Sequence, residues 1–418
     1  MRLLQTIFIS VKINSMIKSN QETISKRILY AEAVFGDEEK KAVMKSMDNK
    51  WLASGPLVKE FEEKVAKLFG KKYGIAVNSG SSADLLAIQS LRLPEGSEVI
   101  TPACTFSTTV SSIIHNNLVP VFVDTVIGRY TINEDLIEKA ITKKTKIIFV
   151  PQLVGGICDM ARLRRIANKY NLFLIDDSCD TFAPYFNKKT VASYSDLTTT
   201  SFYGSHIITA LGFGGMVLVD NEQLRDRIYT LRDWGRVGND KEAFENRFNF
   251  TIDEIPYDAK FLYSELGYNL KMNEAAAAFG LVQLKRLNGF LKKRTQNFKK
   301  LEQFFSKYEK WFILPCLLKE AETNWLAFPL TVRKNAPFTR YDFLKHLESK
   351  GIQTRVLFSG NIVRHPVYKD IKVRVSGSLK NADIIMASSL LLGCHQALTN
   401  KDIQYVKQSS EEFFEKYA

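Results

Sequence analysis

The sequence predicts an α/β protein: a large domain with a mostly parallel, seven-stranded sheet flanked by helices, then a smaller C-terminal α+β domain. Two observations predict it. From about residue 30 to 219, short β-rich runs alternate with segments of helical periodicity, the order that produces parallel strands joined by crossover helices. Beyond a basic stretch near 285–300 the order changes, and extended segments and helices mix as in α+β folds. Strands are expected at 74–77, 98–101, 120–123, 146–150, 173–175, 197–201 and 216–219, with helices between several of them at 82–91, 133–141 and 160–170. The second part reads as an extended segment at 324–332, a helix near 339–350, an extended segment at 351–358 and a terminal helix from Asn400. The division is a loose tail over 1–29, a large domain over 30–285, and a linking helix with a small domain over 286–418. No internal repeat or low-complexity linker interrupts it.

At 418 residues and 45% hydrophobic content, the chain can bury one large core and a second, smaller one. No apolar run approaches the ~20 residues that span a bilayer, so no membrane partner is expected. The start, Met1 to Lys12, is apolar but broken by Gln5, Thr6 and Ser10, with no small-residue cleavage site after it. It reads as a loose tail, or as an upstream start with Met16 as the first residue. Cys104, Cys158, Cys179, Cys316 and Cys394 are scattered without pairing or ligand spacing, the expectation for reduced thiols in the cytoplasm. The net charge of +13 raises nucleic-acid binding as a question. Its densest cluster, Lys285, Arg286, Lys292, Lys293, Arg294, Lys299 and Lys300, shares a stretch with Leu281, Leu284, Leu287, Leu291 and Phe298 at helical spacing. That is the solvated face of an amphipathic helix, and no nucleic-acid motif accompanies it. A mildly basic surface suits a diphosphate-bearing substrate.

Five segments carry chemistry. Asn78-Ser79-Gly80-Ser81-Ser82 follows an expected strand and opens a helix, where backbone N–H groups and the helix dipole can hold an anion; an ordinary capped turn has the same residues. Asp176, Asp177 and Asp180 close a strand at its carboxyl end, where open α/β sheets bind ligands, or else act as strand-end caps. Phe106, in Thr101–Ser107, is either core or a ring-stacking face. Arg355 offers a guanidinium fork suited to a carboxylate or phosphate, or to a structural salt bridge. Finally, Thr200–Thr209, followed by Gly212-Phe213-Gly214-Gly215, places His206 in a glycine-rich loop after a strand.

In order and spacing, these segments resemble the sugar aminotransferases, which are pyridoxal phosphate (PLP) enzymes of the aspartate-aminotransferase type I fold; the likeness runs from about Tyr30 to the C-terminus. The resemblance implies that Gly80, Ser81 and Ser201 bind the cofactor phosphate, and that Asp177 pairs with the pyridinium nitrogen. It places Asp180 near the ring hydroxyl and Phe106 over the ring face. Asn269, in the loop Gly267-Tyr268-Asn269-Leu270-Lys271, would reach the phosphate in a neighbouring subunit, so that a homodimer shares its active sites. Arg355 would bind substrate.

His206 stands where most members carry the lysine that holds PLP covalently. An imidazole cannot form that bond, but with an ordinary pKa of ~6.5 it can move protons near neutrality. Within the resembling family this exchange marks the branch that removes the C3 hydroxyl from nucleotide-linked 4-keto-6-deoxy sugars in dideoxysugar synthesis, as for surface polysaccharides. The implied cofactor is non-covalent PLP in its pyridoxamine phosphate form, with L-glutamate as amine donor and His206 as acid/base. Leu231-Arg232-Asp233-Trp234-Gly235-Arg236 is similar to an iron–sulfur member of that branch, but Val237-Gly238-Asn239-Asp240-Lys241 follows without cysteine. A cluster needs about four thiolates, so no metal is expected. The alternatives are an iron–sulfur-type homologue and a non-catalytic binding protein of the same fold.

Overall fold

The computed structural model describes residues 27–237 and 243–417. Most of the N-terminal tail and the segment from Gly238 to Glu242 therefore lie outside the described residues. The expected alternation folds into one sheet: β1 (Tyr73–Val77), β2 (Glu98–Pro102), β3 (Val119–Val123), β4 (Thr145–Pro151), β5 (Phe173–Asp177), β6 (Leu197–Ser201) and β7 (Gly215–Val219). Their order is β1-β7-β6-β5-β4-β2-β3; β2 through β6 pair in parallel, while β7 runs antiparallel to both β1 and β6. An eighth, two-residue strand, Arg374–Val375, joins the free edge of β3 in parallel. It was not anticipated, because two residues carry no periodicity. Arg374 is held there by paired contacts to Glu98 at 2.8 Å.

The strands are Val-, Ile- and Phe-rich and almost wholly buried, as a sheet covered on both faces requires. Helices α1 (Asp37–Asp48), α2 (Pro56–Phe69), α3 (Gly80–Gln89), α4 (Ser107–His115), α5 (Met160–Tyr170) and α6 (Glu222–Arg232) accompany it. The expected helix at 133–141 is a 3₁₀ turn, Glu134–Leu136, running into one helical turn, Ile137–Ala140.

A single 32-residue helix, α7 (Glu274–Phe305), crosses residue 285 without a break. Its first half packs Leu281, Leu287 and Phe290 into the core beneath β7, and its second half packs Phe298, Leu301 and Phe305 into the C-terminal core. That second core is aromatic, with Phe305, Phe312, Phe328, Phe343 and Phe414 in mutual ring contact under the antiparallel strands Phe328–Val332 and Ser389–Leu392. The basic face of α7 holds one exception to its expected solvation. Arg294 is 1% exposed and donates to the carbonyls of Trp325 and Leu326 at 3.2 and 3.0 Å. Heptad-like spacing shows which residues share a face, but not that a loop will fold over one of the charged positions. Among the described residues, no helix is long and apolar enough to cross a membrane.

Candidate active site

A cavity of about 370 Å³ opens at the carboxyl ends of the parallel strands, where this architecture binds ligands. Its floor and rim bring together Gly80, Ser81, Phe106, Asp177, Asp180, Ser201 and His206. Segments spread over more than a hundred residues of sequence meet because each follows or closes a strand of one sheet.

The turn before α3 is built for close approach. Ser79 caps the helix by accepting from Ser82 N at 3.1 Å, so the N–H groups of the first turn face the cavity. A Cβ at Gly80 would lie 2.8 Å from Ser201 Cβ and 2.9 Å from Cys179 Sγ, and one at Gly215 would lie 2.3 Å from Ser79 C. Glycine at both positions lets the turn press against the ends of β6 and β7, which sets Ser201 beside the free N–H groups.

The acidic corner follows β5. Asp177 accepts from Cys179 N at 3.0 Å and from Thr109 Oγ1 at 3.1 Å. Asp176 accepts from Gln152 Nε2 at 2.8 Å and Ser178 Oγ at 2.9 Å, and burial pushes its carboxyl up to about 7. Asp180 accepts from Val154 N at 2.8 Å, and burial pushes it to about 7 as well. Val154 has φ of 59°, a costly conformation for a β-branched residue, and its N–H is thereby aimed at Asp180. No lysine or arginine counters Asp84, Asp176, Asp177 or Asp180 among the described residues.

His206 enters from the loop between β6 and β7. Its backbone N–H donates to Tyr203 O at 2.9 Å, and the Tyr203 ring meets the imidazole edge-on at 5.9 Å. Nδ1 is buried with no hydrogen-bond partner among the described residues. Burial, with the nearby Arg294 cation adding to it, lowers His206 to about 4, so the ring is neutral near pH 7 and free to accept a proton. No lysine lines the cavity among the described residues.

Phe106 is 48% exposed, tilted edge-on to Phe358 at 5.7 Å, and forms one wall; it is not core. Arg355 has no ion pair among the described residues; its Nη1 donates to Thr354 O at 2.8 Å and its guanidinium lies 5.6 Å from the Tyr30 ring, at the cavity edge. Asn269 does not reach this cavity. It is exposed, on a loop bridged to Asp233. Sequence reasoning missed Tyr30, Asp84, Tyr203 and Phe358, all of which line the site. Tyr30 Oη is buried without a partner. Tyr203 lies in the His206 segment, three residues before the histidine, but no rule marked its ring; Tyr30, Asp84 and Phe358 lie outside any motif with a spacing rule, and only the phase of Asp84 on α3 could have flagged it.

The fold and this site define an α/β enzyme with a phosphate-sized turn facing an acidic corner. Residues 34–410 match the model of the DegT/DnrJ/EryC1/StrS aminotransferase family, and the chain belongs to that family. It is 37% identical over 395 residues to the lipopolysaccharide biosynthesis protein RfbH of Salmonella typhimurium, covering 91% of this chain and 90% of that one. It is 35% identical to the dTDP-4-dehydro-2,6-dideoxy-D-glucose 3-dehydratase of Saccharopolyspora spinosa, over 92% of this chain and 86% of the relative. A crystal structure of GDP-4-keto-6-deoxymannose-3-dehydratase with a trapped PLP–glutamate geminal diamine superposes with a TM-score of 0.82 at 27% identity, covering 91% of this chain and 99% of that one. The residues present fit PLP. Asp84, Asp177 and Asp180 put three carboxyls on the cavity with no countercation among the described residues, which suits a cationic ring, and the close-packed turn at Gly80 suits a phosphate.

Proposed function

We propose that this protein is a PLP-dependent nucleotide-sugar 3-dehydratase that removes the C3 hydroxyl of a nucleotide-linked 4-keto-6-deoxyhexose, with L-glutamate as amine donor. The observation that carries the reading is a cavity of about 370 Å³ lined by His206 and by no lysine among the described residues. When bound, the cofactor carries the amino group and supplies an electron sink next to the substrate carbon. The chain supplies the rest. The α3 turn and Ser201 would hold the phosphate, Asp177 would keep the ring nitrogen protonated, Asp180 would lie toward the ring hydroxyl, and Phe106 would cover the ring.

His206 is the proton carrier. Its neutral imidazole takes a proton at the carbon being activated, and the imidazolium so formed is the acid for the departing C3 oxygen. With no lysine in the cavity among the described residues to tether the cofactor, the same cavity would receive glutamate and the keto-sugar in turn. Arg355, without an ion pair among the described residues and beside Tyr30, is the cation for a substrate oxyanion.

The functional unit is a homodimer with shared sites. Support comes from Asn269, exposed and off its own cavity, and from an exposed apolar run that includes Phe244 (70%), Ile255 (63%) and Leu266 (93%). Its working compartment is the cytoplasm, in keeping with cysteines that form no disulfide.

Incubation with PLP, L-glutamate and a panel of GDP-, CDP- and dTDP-linked 4-keto-6-deoxy sugars tests the reading. The expected product is one oxygen lighter than its sugar substrate, with one 2-oxoglutarate and one ammonia formed per turnover. A 4-amino sugar as the main product would make the protein an aminotransferase.

A further inference from the structure

Asp84 has no role in the scheme above, yet it lines the cavity beneath Asp177. It projects from the second turn of α3, is 2% exposed, and accepts from Thr199 Oγ1 at 2.7 Å. Oxygens of Asp84 and Asp177 and the Sγ of Cys179 all lie within 4.8 Å of one another. Asp177 is 5% exposed, so solvent screens neither carboxyl. Asp84's own helix contributes no other charge. The groups facing it are Asp177 at the end of β5, Cys179 just after it and Thr199 on β6, with Asp180, Thr109 and His206 further around the cavity.

Two carboxylates this close in a dry site cannot both ionise without a cation. Asp177 has two hydrogen-bond donors and Asp84 has one, so the charge rests on Asp177 and the proton on Asp84. We propose that Asp84 is a positioning residue of the cofactor site: with Asp177 it forms a buried dyad that carries one proton in the cofactor-free protein and releases it to water when a cationic ring docks. This rests on reading the cavity as a PLP site. Burial and the Asp177 charge hold the Asp84 carboxyl well above the ordinary carboxylate range, in keeping with the dyad. A group that binds its proton more tightly when folded lends stability at low pH and loses it as pH rises through the folded value. The cofactor-free protein therefore weakens with rising pH, and cofactor affinity rises over the same range because the second carboxylate faces the ring.

The test uses full-length protein stripped of cofactor, thermal denaturation across about pH 5.5 to 8, and affinity for pyridoxamine phosphate at both ends. Asp84→Asn keeps the shape and the hydrogen bond from Thr199 but removes the titration. It should flatten the pH dependence of the cofactor-free melting temperature. It should bind pyridoxamine phosphate within about twofold of wild type at low pH and about tenfold more weakly at the upper end, a one-unit shift in a coupled group. Thr199→Val removes the bond that favours the charged form of Asp84, so it should steepen the pH dependence; it serves on its own if Asp84→Asn does not fold. Profiles of both variants that superimpose on wild type overturn the dyad while leaving the cofactor reading intact. A wild type that binds no pyridoxamine phosphate at any pH overturns both.

Discussion

Replacing Gly80 by alanine probes the phosphate cradle with a magnitude the structure supplies. The new methyl would sit 2.8 Å from Ser201 Cβ and 2.9 Å from Cys179 Sγ, closer than carbon atoms approach without something moving. Both neighbours are short side chains fixed at strand ends, so the backbone must give. Overpacking of this kind costs about 1–3 kcal/mol, while alanine in a helix gains up to about 1 kcal/mol over glycine, less in a first turn. The balance is a loss of about 1 kcal/mol, or a fall of a few degrees in melting temperature. Displacing the first-turn N–H groups by a few tenths of an ångström should also weaken pyridoxamine phosphate binding by about tenfold, equivalent to about 1.4 kcal/mol. Gly289→Ala is the control: it lies in α7 with nothing within 4 Å of its added Cβ, and should stabilise by about 0.5–1 kcal/mol. Calorimetric melting and equilibrium binding on both variants decide the matter. If Gly80→Ala melts higher and binds cofactor as wild type does, the cradle is not closed by that contact and the reasoning fails.

Other expectations follow from the same geometry. Arg294→Met removes the buried cation that helps hold His206 neutral; the His206 pKa should rise from about 4 toward its ordinary value, read as an upward move of the acid limb of kcat/KM, and an unmoved limb would count against that electrostatic link. Borohydride treatment of the PLP-loaded protein followed by peptide mass spectrometry should find no pyridoxyl adduct on any lysine, since none lines the cavity among the described residues. Purified protein should hold no stoichiometric iron and turn over without a reductase; dependence on NADH and a reductase would assign it to iron–sulfur chemistry. Leu266→Asp should shift sedimentation toward monomer and lower activity in parallel, whereas an unchanged dimer would place the interface elsewhere.

The sheet was legible because its strands are buried on both faces and so read as dense apolar runs; each of the seven expected strands lies within a residue or two of its observed bounds. Helices α1, α2, α4 and α6 were not anticipated. In α4, the sequence Ser-Thr-Thr-Val-Ser-Ser-Ile-Ile-His lacks strong helix formers, and tertiary packing decides its conformation. The cavity residues that came from strand-end turns were readable, since chemistry at those positions follows from sheet topology. Tyr30 and Phe358 were not, because they arrive from the two ends of the chain and only the folded second core brings them over the sheet. Arg294 shows the converse: a charge that pattern reasoning put in solvent is buried by the segment around Trp325.

In the proposed reaction His206 moves protons without tethering the cofactor, where most members of the family carry a lysine. The most direct test measures sugar dehydration and glutamate-to-2-oxoglutarate conversion separately in His206→Asn and His206→Lys. Asparagine keeps a polar group beside the Ser201 and Cys179 backbone that the imidazole faces, so it should leave the fold and cofactor binding intact. It should cost dehydration the ~10²–10⁴-fold that a positioned acid/base supplies. Lysine should hold PLP covalently, dehydrate poorly, and show weak amination of the keto-sugar instead. Dehydration by His206→Asn at the wild-type rate would contradict the account.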